Sequence, residues 1–231
     1  MTLRAVNLAC LGPGSRVLDI GSGTGATLRY LGDHGFEAIG VEPSAILVKE
    51  GRERNPGLPT VRASGESLPF ADAVMDGVLA ECSLSVTRDV ERVLGECRRI
   101  LKPAGRLLVN DVYARNPDGV SGLKGLPAGC CLTGAVCKQD WTSRLEAGGF
   151  DVTLWEDHSA ALKEFAAQLI FSGFPIDAFL HCRSDEVKEQ ESGSGKVLTE
   201  LTGLTGKELV CREAALYKAK PGYFLLIAQK A

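Results

Sequence analysis

The residues most able to do chemistry form one stretch, Val17-Leu18-Asp19-Ile20-Gly21-Ser22-Gly23-Thr24-Gly25. Val17 to Ile20 read as a short buried strand, the alternating glycines as a tight turn, and Ala26-Thr27-Leu28-Arg29-Tyr30-Leu31 as the start of a helix. A strand, a glycine turn and a helix N-terminus together let a ligand touch backbone amides. Glycine is required because a Cβ at the turn would block the ligand and forbid positive φ. The spacing selects among ligands. Gly21, Gly23 and Gly25 give G-x-G-x-G, whereas a dinucleotide fingerprint needs G-x-G-x-x-G and position 26 is Ala. The G-x-x-x-x-G-K-[ST] loop of triphosphate sites is absent from the chain. About 20 residues beyond the glycines, the apolar run Glu37–Val41 ends in Glu42. A carboxylate at that distance is placed to accept two hydrogen bonds from a ribose diol.

Three later stretches extend the pattern in order: Gly40-Val41-Glu42-Pro43-Ser44, then Ser64-Gly65-Glu66-Ser67-Leu68-Pro69-Phe70, then Leu101-Lys102-Pro103-Ala104-Gly105 followed by an apolar strand. Together with the glycine turn, over residues 13–112, they resemble the class I S-adenosylmethionine-dependent methyltransferases. The nearest branch is the ubiquinone/menaquinone-methyltransferase-like one, with the arsenite methyltransferases a weaker match. The resemblance implies a Rossmann-like α/β fold: a seven-stranded, mostly parallel sheet with an antiparallel last strand and helices on both faces. It implies that S-adenosylmethionine is the cofactor, held by Asp19, Gly21, Ser22, Gly23, Gly25, Glu42, Pro43, Ser64, Gly65, Glu66, Glu81 and Cys82. One departure is visible. The family commonly has Asp where this chain has Ser64, which exchanges a charged acceptor for the adenine amino group for a neutral one.

Methyl transfer is a direct displacement in which the sulfonium supplies the leaving group. The protein contributes mainly orientation, worth up to roughly 7–11 kcal/mol. A general base is needed only for an acceptor that arrives protonated. His158 and Asp111 are the candidate bases, at the ends of the sixth and fifth strands; Glu81 and Asp157 lie at the same edge. Cys82, Cys130, Cys131 and Cys137 offer an alternative, because converging thiolates suit a soft ion such as trivalent arsenic, and arsenite methyltransferases use cysteines in this way.

These residues need a scaffold to bring them together. Residues 3–11 read as a short helix, too brief to cover a substrate. Strands are expected at Val17–Ile20, Glu37–Glu42, Pro59–Ala63, Met75–Ala80, Arg106–Val112, Phe150–Trp155 and Tyr223–Ala228, with Lys102–Gly105 a turn before the fifth. Ser44 and Thr87 are the expected caps of the helices that follow them. Val90, Val93, Leu94, Cys97, Ile100 and Leu101 keep helical spacing, which makes Cys97 a packing residue. The Gly-, Pro- and Cys-rich residues 113–137 leave the ligand-binding edge of the sheet. A long insertion separates the last two strands, with helix candidates at Ala160–Phe171, Ile176–Glu189 and Lys207–Lys218 and a flexible-looking Glu191–Lys196. The expected organisation is one domain over 1–231, its core formed by 13–156 and 221–231 and its substrate lid by 157–220.

Bulk properties agree. The 231 residues suffice for one such domain. A net charge of −3 without a dense basic block disfavours nucleic acid and anionic membranes. No apolar run approaches the roughly 18 residues of a spanning helix, and Met1-Thr2-Leu3-Arg4 lacks a signal-peptide apolar region. The expected compartment is the cytoplasm, where the eight cysteines would be thiols. The partner expected is a small-molecule methyl acceptor. Two other classes compete: an NAD-dependent oxidoreductase using the same type of crevice, and a non-catalytic domain that keeps the fold and binds cofactor or partners.

Overall fold

The structure is a computed structural model describing residues 1–126, 130–171 and 214–231. Its strands are β1 (Arg16–Ile20), β2 (Glu37–Val41), β3 (Thr60–Val61), β4 (Met75–Glu81), β5 (Leu101–Ala114), β6 (Phe150–Asp157) and β7 (Pro221–Lys230). They form one sheet in the order β3-β2-β1-β4-β5-β7-β6. Pairings among β1 to β5 are parallel, and β7 runs antiparallel to both β5 and β6. This is the expected seven-stranded sheet. The order reverses at β1, between β2 and β4, and such a reversal opens a ligand crevice at the carboxyl ends of the strands.

The helices are α1 (Thr2–Leu8), α2 (Ala26–Asp33), α3 (Ala45–Arg54), α4 (Val90–Ile100), α5 (Val120–Leu123), α6 (Lys138–Ala147) and α7 (Ser159–Phe171), with a further helix at 214–219. Both faces of the sheet are covered. Ala5, Val6 and Ala9 pack with Val17, Leu31, Phe36, Leu79 and Leu108 on one face. On the other, Val90, Val93, Leu94, Cys97 and Ile100 of α4, with Trp141 and Leu145 of α6, close over Leu18, Ile20, Val78, Leu107 and Val109. Cys97 is fully buried, as its spacing requires. Each such Val, Leu or Ile contributes roughly 1.5–3 kcal/mol by leaving water, so α4 is fixed as a rigid wall.

A third cluster sits at the carboxyl edge. Val112, Ala114, Leu123, Leu126, Cys130, Leu132, Ala135 and Ala219 join the stretch after β5 to the helix before β7. Gly119 makes this possible, since a Cβ there would lie 2.3 Å from Ala219 Cα.

Local details differ from the sequence reading. Asp89, not Thr87, caps α4, accepting from the Arg92 amide at 2.9 Å. The Thr87 hydroxyl instead donates to Leu84 O at 2.9 Å. Lys102–Gly105 does not precede β5 but lies within it: Met75 pairs with Leu101 and Gly77 with Arg106, so the intervening residues bulge, with Ala104 at φ +59°. β3 is shorter than expected, α7 matches the first insertion helix, and 214–219 takes up the end of Lys207–Lys218. Ile176–Glu189, Glu191–Lys196 and the rest of Lys207–Lys218 lie outside the described residues. Among the described residues no helix is long and apolar enough to cross a membrane.

Candidate active site

The crevice is built on the turn between β1 and α2. Gly21, Gly23 and Gly25 all have positive φ, at +73°, +54° and +83°. The amides of Gly21 and Ser22 both donate to Val41 O, at 2.9 and 3.1 Å, and bind the turn to β2. A Cβ on Gly25 would lie 2.1 Å from Leu58 Cδ2, whereas one on Gly23 would meet nothing within 4 Å. Gly25 is therefore needed for packing and Gly23 faces open space. Glu42, 6% exposed, accepts from the Gly23 amide at 2.9 Å and from the Ser44 amide at 2.8 Å. It thereby fastens the turn to the cap of α3, where Ser44 Oγ receives the Leu47 amide at 3.4 Å. Pro43 O accepts from Arg62 Nε at 3.4 Å.

Glu81 closes β4 beside this turn. Its carboxylate accepts from the hydroxyls of Thr2 (3.0 Å) and Thr27 (3.1 Å) and from Asn110 Nδ2 (2.7 Å). Asp19 lies two residues before the turn and is 2% exposed. Its burial, with the charges of Glu81 and Glu42 nearby, raises its pKa well above the usual carboxylate range. Asp19, Glu42 and Glu81 thus crowd three carboxyl groups at one floor, an arrangement that favours a retained proton on Asp19. Ser22 Oγ, Ser83 Oγ and Asn110 Oδ1 are buried around this floor without a hydrogen-bond partner among the described residues. Buried polar atoms are normally satisfied; Thr60 Oγ1 and Trp141 Nε1 are orphaned likewise. A cationic, hydroxyl-bearing molecule such as S-adenosylmethionine matches the acceptors and charge of the floor.

The Ser64–Phe70 loop forms the adjoining wall. Ser64 Oγ donates to Glu66 Oε2 and accepts from the Glu66 amide at 3.2 Å. Gly65 packs against Ile20 and Val93, at 3.2 and 3.3 Å from where a Cβ would stand. Burial pushes the Glu66 pKa up, but the Ser64 hydroxyl and the amides of Glu66, Arg88 and Asp89 outweigh it and hold it low. From α4, Arg99 donates to Leu68 O (3.0 Å) and Phe70 O (2.7 Å), and Glu96 accepts from the Leu68 amide at 2.7 Å. These two residues hold the loop and carry no signal in the sequence beyond helical spacing.

The two candidate bases are not brought together. Asp111 is fully buried, accepts from Ser85 N (3.0 Å), Ser85 Oγ (2.7 Å) and Val112 N (2.8 Å), and braces the segment after β4. Its burial outweighs those donors and pushes its pKa up to about 6. His158 lies past β6, its Nε2 2.8 Å from Glu156 Oε2. Glu156 is also held by Arg4 of α1 at 2.6 Å, and Arg4, then His158, draw its pKa down to about 2. His158 thus shares the Glu156 carboxylate with Arg4 on the outermost strand.

The cysteines divide. Cys137 Sγ donates to Asp140 Oδ2 at 3.1 Å. Cys130 is buried in the edge cluster, Cys131 is half-buried beside it, and Cys82 is exposed. Among the described residues, no group of three or more His, Cys, Asp or Glu is placed to hold a metal ion. Cys82 Sγ donates to the Tyr223 hydroxyl at 3.7 Å. Burial first, then Cys82, Glu81 and Asp111, raises the Tyr223 pKa and keeps the phenol neutral. Tyr223, Thr2, Thr27 and Asn110 are residues of the site that sequence reasoning misses. Asn110 alone leaves a trace, as a polar break in the apolar run Leu107-Leu108-Val109.

Comparison with known proteins agrees with this geometry. Residues 18–109 match the family described as methyltransferase domain. The chain is 37% identical over 108 residues to a demethylmenaquinone methyltransferase of Beutenbergia cavernae, covering 46% of this chain and 45% of that protein. It is 30% identical over 154 residues to an arsenite methyltransferase of Halobacterium salinarum, covering 62% of this chain and 39% of that one. These matches span less than half the length of either relative. In fold it is similar to the [4+2]-cyclase SpnF, with a TM-score of 0.67 and 24% identity over 99% of this chain and 80% of the cyclase. Residues 18–109, less than half of the chain, are thus similar to the family described as methyltransferase domain.

Proposed function

We propose that the protein binds S-adenosylmethionine across the Gly21–Gly25 turn and transfers its methyl group to a small-molecule acceptor by in-line displacement. The observation that carries this reading is the bond between Glu42 and the Gly23 amide, which sets a carboxylate beside the open side of the turn. In this reading Glu42 receives the ribose hydroxyls, Ser64–Glu66 borders the adenine, and Asp19 and Glu81 face the cationic methionine end. In the same reading Cys82, exposed directly after β4, borders the place where the acceptor would enter. The similarity to demethylmenaquinone and arsenite methyltransferases supports a small acceptor but does not choose one. Orientation supplies the rate. Asp111 is excluded from solvent and His158 is engaged by Glu156, so the reading assigns neither of them proton abstraction.

Calorimetry with S-adenosylmethionine, S-adenosylhomocysteine and NAD tests the cofactor. Binding of the first two and not NAD is expected; NAD binding alone would overturn the reading in favour of an oxidoreductase. Methyl-labelled S-adenosylmethionine, offered with quinols, amines, thiols and arsenite, then reports the acceptor class. Binding without transfer to any class would favour a non-catalytic cofactor-binding domain.

A further inference from the structure

Cys82 occupies an unusual position. It follows β4 directly and adopts φ +50°, a left-handed conformation that non-glycine residues rarely hold. Such strain persists where surrounding structure enforces it, and it concentrates at functional sites. Here the Cys82 amide donates to Asn110 O at 2.7 Å, and its sulfur reaches the Tyr223 hydroxyl. Tyr223 packs on the edge cluster that contains Cys130, and so does Cys131. The loop that carries Cys131 is pressed onto the segment after Cys82: a Cβ on Gly134 would lie 1.9 Å from Ser85 O. Two segments far apart in sequence therefore approach each other at the carboxyl edge, one carrying the exposed Cys82 beside the Tyr223 hydroxyl and the other carrying the half-buried Cys131 on the cluster that Tyr223 also packs against.

We propose that Cys82 and Cys131 form a redox-active dithiol that peroxide closes into a disulfide across the mouth of the site. The exposed Cys82 sulfur attacks one oxygen of hydrogen peroxide and the O–O bond breaks. One hydroxyl stays on sulfur as sulfenic acid, and the other leaves as water with the thiol proton. The Cys131 sulfur then attacks the Cys82 sulfur and the S–O bond breaks. The hydroxyl departs as water with the Cys131 proton. Two sulfurs are oxidised by one peroxide, and two waters form. The order follows from access: Cys82 is open to peroxide, whereas Cys131 is half-buried and kept a thiol by its hydrogen bond with Cys130 and then by burial. The bond pins the 130–137 loop to the end of β4 and narrows the entrance to the cofactor, a consequence that rests on the cofactor reading above.

The test is peptide mapping of the full chain after peroxide treatment without reductant, with S-adenosylhomocysteine affinity measured before and after. A Cys82–Cys131 linkage is expected, with affinity falling at least tenfold and returning on reduction. Cys131→Ser should yield no linkage to Cys82 and a binding affinity insensitive to brief peroxide. Cys130→Ser should still form the bond. A Cys130–Cys131 linkage, or none at Cys82, overturns the proposal. A Cys82–Cys131 bond with unchanged affinity overturns the gating. If reduced protein fails to bind S-adenosylhomocysteine, the cofactor reading falls, while the mapped linkage still decides the dithiol.

Discussion

The Glu42 carboxylate accepts the Gly23 amide at 2.9 Å, so one side chain both fastens the glycine turn and lines its open side. Glu42→Ala therefore removes two things. The amides of Gly23 and Ser44 lose their acceptor, and in the proposed binding mode the ribose loses charged hydrogen bonds worth about 1.5–3 kcal/mol. S-adenosylhomocysteine affinity should fall roughly tenfold to a hundredfold by calorimetry. Unchanged affinity would show that the ribose lies elsewhere.

Gly25 should tolerate no side chain, for two separable reasons. Its φ of +83° costs an L-residue about 1–2 kcal/mol. The added methyl also meets Leu58 at 2.1 Å, and overpacking costs about 1–3 kcal/mol. Gly25→Ala is expected to destabilise by about 2–5 kcal/mol in urea unfolding. In a Leu58→Ala background the steric part should vanish and the backbone part remain. A cycle showing no coupling between the two positions would remove the contact from the explanation.

What can be read in the sequence and what cannot differ by range. The glycine turn, Glu42 at its fixed distance, the Ser44 cap and the buried face of α4 with Cys97 are all set by neighbours close in the chain, so spacing reveals them. The second half of the site is set by pairs far apart: Thr2 with Glu81 across 79 residues, and Cys82 with Tyr223 across 141. No local periodicity records such a pair. Ala104 shows a different limit, because alanine at φ +59° does not announce a left-handed bulge as glycine would. Asp111 at a strand end is equally suited, by sequence, to substrate and to its own loop; its full burial beneath Ser85 follows from packing that strand position alone does not convey.

Asp111 makes stability depend on pH in a stated direction. Its pKa lies at about 6 in the folded protein against an ordinary 3.8. The native state therefore binds more protons than the unfolded chain between these values, and stability falls as pH rises through the interval. The favourable contribution is complete below pH 3.8 and lost above about 6. A gap of that width between the folded and unfolded values corresponds to a change on the order of 3 kcal/mol. Asp111→Asn should flatten this slope in urea titrations between about pH 4 and 7. It should also lose some stability at every pH, because an amide nitrogen would face the Ser85 N–H. A slope preserved in the variant would assign the titration to another group.

Gly119 tests the cluster at the carboxyl edge. A Cβ there would lie 2.3 Å from both Ala219 Cα and Ala219 N. Those are backbone atoms, so no rotamer change relieves the clash; the two segments must separate. Separation breaks the bonds from Asn116 N to Ala219 O (3.0 Å) and from Asn116 Nδ2 to Lys218 O (2.9 Å). Gly119→Ala should therefore destabilise by about 1–3 kcal/mol, and the amides of 114–123 should exchange with deuterium faster than in the parent protein. The glycine turn lies outside this cluster, and its protection should not change. Loosening reaches the mouth through Tyr223, which packs on the same cluster and receives the Cys82 thiol. Modification of Cys82 by a thiol reagent should accordingly change in rate in the variant. Exchange and thiol reactivity both matching the parent would mean that this contact does not hold the edge together.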